Sequence, residues 1–299
     1  MSIPFRGTGT ALVTPFDRTG AVDYEALRRL IDMQLQGGVE MLVPLGSTGE
    51  NPTITRSERT EILRAVIEYV DRRAVVIAGT GTNDTRSTVA YTQEAMALGA
   101  DAALITTPYY NKPTPDGLFA HYQAVSEIGL PVIMYNVPGR TGANMRAETT
   151  LRCAELPNIV SIKEASADLA QCMEIIRHAP RGFGLLSGED ELTVALIALG
   201  ARGVISVTSN EVPAEFSRMV RFALEGHYDE ARALHYELLD LMQINFVEAN
   251  PGPVKCALSM MGVIKEQLRL PLVPVRPDSR KKIREVLEHL DSVILEQLS

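Results

Sequence analysis

Short apolar runs alternate along the chain with longer stretches in which apolar residues recur every three or four positions. Eight runs stand out, at residues 9–16, 41–46, 74–80, 102–108, 131–138, 159–165, 183–188 and 203–209. Most are near-continuous Val, Ile, Leu and Ala, as expected of strands buried on both faces. Helical patterns fill the gaps. Residues 24–36 place Leu27, Leu30, Ile31 and Leu35 on one face and stop at Gly37-Gly38. Thr55-Arg56-Ser57-Glu58 has the spacing of a capping box ahead of Ile62, Leu63, Val66 and Ile67. Residues 84–97 and 115–128 repeat the periodicity. Gly99, Gly129 and Gly200 fall where a left-handed residue closes a helix.

Eight strand–helix units predict an α/β fold, a parallel sheet closed into a (β/α)8 TIM barrel. The rival is an open doubly wound sheet, which usually carries a glycine-rich phosphate turn after its first strand. Here Asp17-Arg18-Thr19-Gly20 follows the first run. No G-x-G-x-x-G or G-x-x-x-x-G-K-[ST] occurs, so nucleotide binding has no support. After Gly226 the pattern changes to helices at 227–246, 254–261 and 279–298, broken by proline-rich segments near 250–253 and 270–277. The expected organisation is a catalytic barrel over 1–226 and a C-terminal helical domain over 227–299.

A chain of 299 residues with 45% hydrophobic composition suits one barrel plus an extension. The net charge of −8 comes without a basic stripe, so no nucleic-acid partner is expected. Arg280-Lys281-Lys282 lies in a helical pattern with Glu285 and Glu288 and reads as a solvated face. No apolar run approaches the roughly 20 residues of a membrane span, and Met1–Arg6 lacks signal-peptide architecture. Cys153, Cys172 and Cys256 are too few and too scattered for a disulfide framework, so a reducing cytoplasm and buried thiols are expected. The five histidines lie in helical stretches rather than at strand ends, so neither a metal site nor a histidine triad is expected.

Barrel enzymes carry their chemistry at the C-terminal ends of the strands. Those ends supply hydroxyls, tyrosines and a single lysine, Lys163, which closes an apolar run. A buried lysine loses its charge readily, and the neutral amine attacks carbonyls. The alternative is a lysine that reaches solvent or pairs with Glu164 or Glu50. Tyr135, one run earlier, is either a proton shuttle for that amine or a core tyrosine with a satisfied hydroxyl. Gly46-Ser47-Thr48-Gly49-Glu50 is either a nest of N–H groups for a carboxylate or an ordinary strand-to-helix turn. Arg140, in Pro138-Gly139-Arg140-Thr141-Gly142, either clamps a carboxylate or is solvated.

With these residues in hand, nearly the whole chain resembles the pyruvate-dependent aldolase family typified by dihydrodipicolinate synthase and N-acetylneuraminate lyase. The resemblance rests on Gly46-Ser47-Thr48-Gly49-Glu50, Thr107-Pro108-Tyr109-Tyr110-Asn111-Lys112-Pro113, and Tyr135-Asn136-Val137-Pro138-Gly139-Arg140-Thr141-Gly142. It continues through Ile162-Lys163-Glu164-Ala165, Leu186-Ser187-Gly188-Glu189-Asp190, Gly203-Val204-Ile205-Ser206-Val207 and Asn250-Pro251-Gly252-Pro253-Val254-Lys255. It implies a lysine Schiff base with pyruvate at Lys163, with no metal or organic cofactor. Tyr135 would be the acid/base, in a relay with Ser47 and with Tyr110 from a neighbouring subunit, hence a homotetramer of tight dimers. Thr48 would hold the pyruvate carboxylate and Arg140 that of the second substrate, with Gly188 and the Ile205 carbonyl lining the pocket.

The Arg-Thr-Gly after Tyr135 resembles the synthase branch, which condenses pyruvate with L-aspartate 4-semialdehyde to 4-hydroxy-tetrahydrodipicolinate on the diaminopimelate route to lysine. The alternative is an aldolase of N-acetylneuraminate or a 2-keto-3-deoxy acid, and Ser47, where synthases commonly have threonine, keeps it open. A catalytically dead barrel used for binding would be expected to lack the lysine or the tyrosine, and both stand. Where feedback-inhibited relatives use histidines and a glutamate to bind lysine, this chain has Arg56, Arg59 and Ser87, while Asn83 and Tyr109 stay. Added cations where a cation should bind imply weak lysine inhibition.

Overall fold

The computed structural model describes residues 5–297. Its strands are β1 (Gly7–Ala11), β2 (Met41–Val43), β3 (Val75–Gly79), β4 (Ala102–Thr106), β5 (Val132–Asn136), β6 (Ile159–Glu164), β7 (Gly184–Ser187) and β8 (Gly203–Ser206). They pair in parallel, in chain order, and β8 returns to β1 to close the barrel. Around them lie α1 (Tyr24–Gln36), α2 (Arg56–Val70), α3 (Thr85–Leu98), α4 (Pro115–Ser126), the single turn α5 (Pro138–Thr141), α6 (Ala147–Ala154), α7 (Leu169–His178), α8 (Thr193–Ala198) and α9 (Pro213–Glu225). The helices α10 (Tyr228–Ile244), α11 (Gly252–Met260) and α12 (Pro277–Gln297) follow. The (β/α)8 barrel with C-terminal helices is the architecture the periodicity predicts.

Successive side chains on a strand face opposite sides, and this sorts the core into two layers. Met41, Val43, Ile77, Leu104, Ile133, Tyr135, Leu186 and Ile205 fill the barrel interior. Leu42, Val76, Ala103, Met134, Ile162 and Leu185 face outward against Leu30, Ile31, Ile62, Val66, Tyr122 and Ile175 of the helices. Ile162 points out, so Lys163 must point in. The pleat alone therefore aims the lysine at the barrel axis.

Several strand limits differ from the apolar runs. β1 begins two residues before its run and ends at Ala11, because Gly7 and Thr8, which carry no apolar signal, pair with Gly203 and Val204. At Gly203, φ is +146°, and a Cβ would lie 2.0 Å from the Gly7 carbonyl oxygen, so closure there needs glycine. The rest of the run, including Leu12, Val13 and Phe16, is buried loop. The capping box forms as expected. The Glu58 N–H donates to the Thr55 hydroxyl at 3.3 Å, and the Thr55 N–H donates to the Glu58 carboxylate at 2.9 Å. Of the prolines in the two expected breaks, Pro251, Pro271 and Pro274 lie between helices, whereas Pro253 and Pro277 lie in the first turns of α11 and α12, where the missing N–H has no helical partner to lose.

Candidate active site

Tyr135 and Lys163 are register partners on β5 and β6 at the carboxyl end of the barrel. The Lys163 Nζ sits 4.5 Å from the centre of the Tyr135 ring, and the residue is 5% exposed. Its amine has no hydrogen-bond or ion-pair partner among the described residues. Burial pushes its pKa down from 10.5 to about 8; Asp190 and Glu189 oppose that shift, and Arg140 adds to it. Burial also raises the Tyr135 phenol to about 12, so the ring oxygen keeps its proton near neutrality. The alternative of a solvent-reaching or carboxylate-paired lysine fails on geometry. Glu164 is taken by Asn136, Gln171 and the Ser166 N–H. Glu50 is taken by another lysine, Lys255, at 2.5 Å.

Space for the Lys163 side chain depends on Gly188. A Cβ there would fall 2.6 Å from the Ala165 Cβ and 3.1 Å from the Lys163 Cε. A side chain at that position would push on the nucleophile.

A cavity of about 60 Å3 opens above Lys163, lined also by Ser47, Thr48, Tyr135, Arg140, Gly188 and Glu189. A wider cavity of about 340 Å3 adjoins it and shares Gly46, Ser47, Leu104, Arg140 and Asn250. Ser47 and Arg140 thus stand between an inner chamber and an outer one. The Ser47 hydroxyl has no hydrogen-bond partner among the described residues. The Thr48 hydroxyl accepts a hydrogen bond from the Asn250 side-chain amide at 3.0 Å, and the Asn250 carbonyl accepts one from Arg140 at 3.3 Å. Asn250 belongs to the segment between α10 and α11. It therefore ties the second-strand loop and the arginine to the C-terminal helices. In the sequence Asn250 stands inside the motif Asn250-Pro251-Gly252-Pro253-Val254-Lys255, and nothing in that pattern points to these contacts.

The loop carrying Ser47 and Thr48 is bracketed by Leu45 and Glu50, both left-handed at φ 62° and 57°. Such positions cost roughly 1–3 kcal/mol unless the surroundings hold them. Glu50 is held by Lys255 on α11 and by the Arg269 N–H at 3.0 Å. Lys255 and Arg269 in turn lie 4.2 and 4.3 Å from the Phe16 ring centre.

Two expected site residues lie outside the inner cavity. Ile205 packs in the barrel interior, and Val207 lines the cavity in its place. Tyr110 is 88% exposed and touches neither chamber. Arg59, at one of the positions compared above with feedback-inhibited relatives, is buried under Tyr91, with its guanidinium 4.3 Å from the ring centre. It donates to the Asn51 side chain and, at 2.7 Å, to the Gly79 carbonyl. The Ser87 N–H and hydroxyl both donate to Asp84 at the start of α3.

Residues 4–290 match the dihydrodipicolinate synthetase family. The 4-hydroxy-tetrahydrodipicolinate synthase of Parabacteroides distasonis is 48% identical over 290 residues, covering 96% of this chain and 98% of that one. The chloride-inhibited dihydrodipicolinate synthase from Acinetobacter baumannii, solved with pyruvate, has a TM-score of 0.94 and 41% identity, over 96% of this chain and 99% of that one. A monomeric dihydrodipicolinate synthase variant has a TM-score of 0.94 and 43% identity, over 96% and 97%. The chain belongs to the dihydrodipicolinate synthetase family.

Proposed function

We propose that this member of the dihydrodipicolinate synthetase family is a lyase that condenses pyruvate with L-aspartate 4-semialdehyde to 4-hydroxy-tetrahydrodipicolinate through an imine on Lys163. One observation carries the reading: a buried amine without a hydrogen-bonding partner lies against Tyr135 in a chamber that also holds Arg140 and Thr48. The neutral amine attacks the keto carbon of pyruvate, and the Tyr135 phenol donates the proton that lets water leave. The iminium withdraws electrons, a methyl proton departs, and the enamine attacks the aldehyde. Thr48 and the N–H groups of its loop hold the pyruvate carboxylate, while Arg140 holds that of the aldehyde. Gly188 keeps the amine's path clear.

Arg140 favours the semialdehyde over a sugar acid, since it stands at the junction of the two chambers, where a second carboxylate arrives. Turnover on aspartate semialdehyde, N-acetylneuraminate and a 2-keto-3-deoxy acid, each with Arg140→Ala alongside, tests this. The semialdehyde should be preferred and should lose the most. Preference for a sugar acid with the arginine dispensable contradicts it.

Tyr110 completes the relay through Ser47 from a neighbouring subunit in a homotetramer of tight dimers. Its outward exposure supports this, and sedimentation of wild type and Tyr110→Ala checks it. A solved relative is a monomeric variant, so the assembly depends on each chain's own surface. Lysine inhibits weakly, because Arg59 fills its pocket with a bound cation and Ser87 is engaged at the helix start. Among the described residues no helix is long and apolar enough to cross a membrane.

A further inference from the structure

The inner cavity contains two cationic side chains, Lys163 and Arg140, and one acidic side chain, Glu189, among the described residues that line it. The Glu189 backbone is fixed. Its carbonyl oxygen accepts from the Ser187 hydroxyl at 2.7 Å and from the Thr193 hydroxyl at 3.1 Å, and its N–H donates to the Ser187 hydroxyl at 3.2 Å. Its carboxylate, by contrast, has no hydrogen-bond partner among the described residues. The neighbouring acid, Asp190, is engaged differently, accepting the Val207 and Thr208 N–H groups at 3.1 and 2.8 Å. A rigid stem with an unengaged carboxylate facing the reaction chamber is the arrangement of a group kept for a ligand.

The two substrates of the reaction proposed above bring two carboxylates and one ammonium. Thr48 and Arg140 answer the carboxylates, and nothing assigned so far answers the ammonium. We propose that Glu189 binds the ammonium of the second substrate and serves as its base during ring closure, an inference that rests on the pyruvate–aspartate semialdehyde reading. In that step the substrate nitrogen bonds to the imine carbon, and the bond from that carbon to the Lys163 Nζ breaks. The ammonium yields one proton to the Glu189 carboxylate and one to the departing nitrogen of the Lys163 iminium, and its third proton stays on the ring iminium that forms. Glu189 ends as the neutral acid and Lys163 as the free amine. Burial raises the Glu189 carboxyl from 4.5 to about 7, against the opposing pull of Lys163, so it can take a proton and release it again near neutrality.

The test compares Glu189→Gln and Glu189→Asp with wild type on aspartate semialdehyde and on succinate semialdehyde, which lacks the amine. Succinate semialdehyde binding is read as competitive inhibition, and reductive trapping of pyruvate by borohydride is followed in parallel. For Glu189→Gln, kcat/KM for aspartate semialdehyde should fall roughly 10- to 100-fold, the scale of one lost charged hydrogen bond. Inhibition by succinate semialdehyde and the trapped pyruvate adduct should change less than about twofold, and Glu189→Asp should recover part of the loss. Equal losses for both aldehydes, no loss for either, or loss of the pyruvate adduct in Glu189→Gln overturns the assignment. The last result would mean that the carboxylate serves Lys163 instead. A wild-type enzyme that traps no pyruvate sinks the underlying reading, and the inference falls with it.

Discussion

Two lysines in this molecule share almost every property except their partners. Lys163 and Lys255 are both buried, burial lowers both to about 8, and both lie over an aromatic ring. Lys255 donates to Glu50 at 2.5 Å and to the Gln267 carbonyl at 2.8 Å. Lys163 donates to no group among the described residues and opens onto a cavity. Burial and a depressed pKa therefore do not by themselves mark a nucleophile. A lysine in contact with a carboxylate and a carbonyl is a structural cation, here pinning the loop that carries Ser47 and Thr48. A lysine without such partners is free to react.

The sharpest break of the comparison is removal of each amine. Lys163→Ala should cost on the order of 10^3-fold or more in turnover with a folded protein, as read by steady-state kinetics and circular dichroism. Lys255→Met should instead lose stability by about 3–5 kcal/mol, since it strands the Glu50 carboxylate in the interior. Lys255→Met/Glu50→Gln should regain much of that in urea melts while activity stays impaired, because the strained loop has lost its anchor. Full activity in the double variant would reduce Lys255 to a packing residue.

Tyr135→Phe is expected to slow imine formation roughly 100-fold at unchanged stability, which single-turnover trapping measures. Gly188→Ala should impair the same step and destabilise by about 1–3 kcal/mol, because the added carbon meets Ala165 and the Lys163 side chain. The smallest effect is in pH. The rate of imine formation should rise roughly tenfold per pH unit below about 8 and level off above it, whereas an ordinary lysine amine would keep gaining up to about 10.5. The sign for stability follows from the same depression. Between about 8 and 10.5 the unfolded chain binds more protons at this residue, so Lys163 makes stability rise with pH there. Lys163→Ala should remove this contribution and leave the equal one of Lys255.

The barrel and the reactive pair were legible in the sequence because both follow from local pattern. Near-continuous apolar runs mark doubly buried strands, and the alternation along 159–164 turns Lys163 inward once Ile162 is assigned outward. What escaped is set by contacts across the chain. The Glu50–Lys255 pair joins residues 205 apart, and Asn250 reaches Thr48 across 202. No periodicity encodes such meetings. The sequence leaves Glu50 open as a partner for Lys163, and only the three-dimensional packing hands it to Lys255. Glu189 is hidden for another reason. The sequence shows consecutive acids at 189 and 190, and only the turn after β7 commits Asp190 to N–H groups and leaves Glu189 to the cavity.

The reaction at Lys163 requires that this amine, and no other, takes pyruvate. Incubation with pyruvate, reduction with borohydride and peptide mass spectrometry decides between the two buried lysines. The adduct should be found on the peptide bearing Lys163 and be absent from the one bearing Lys255. Label on Lys255, on both, or on neither would contradict the account.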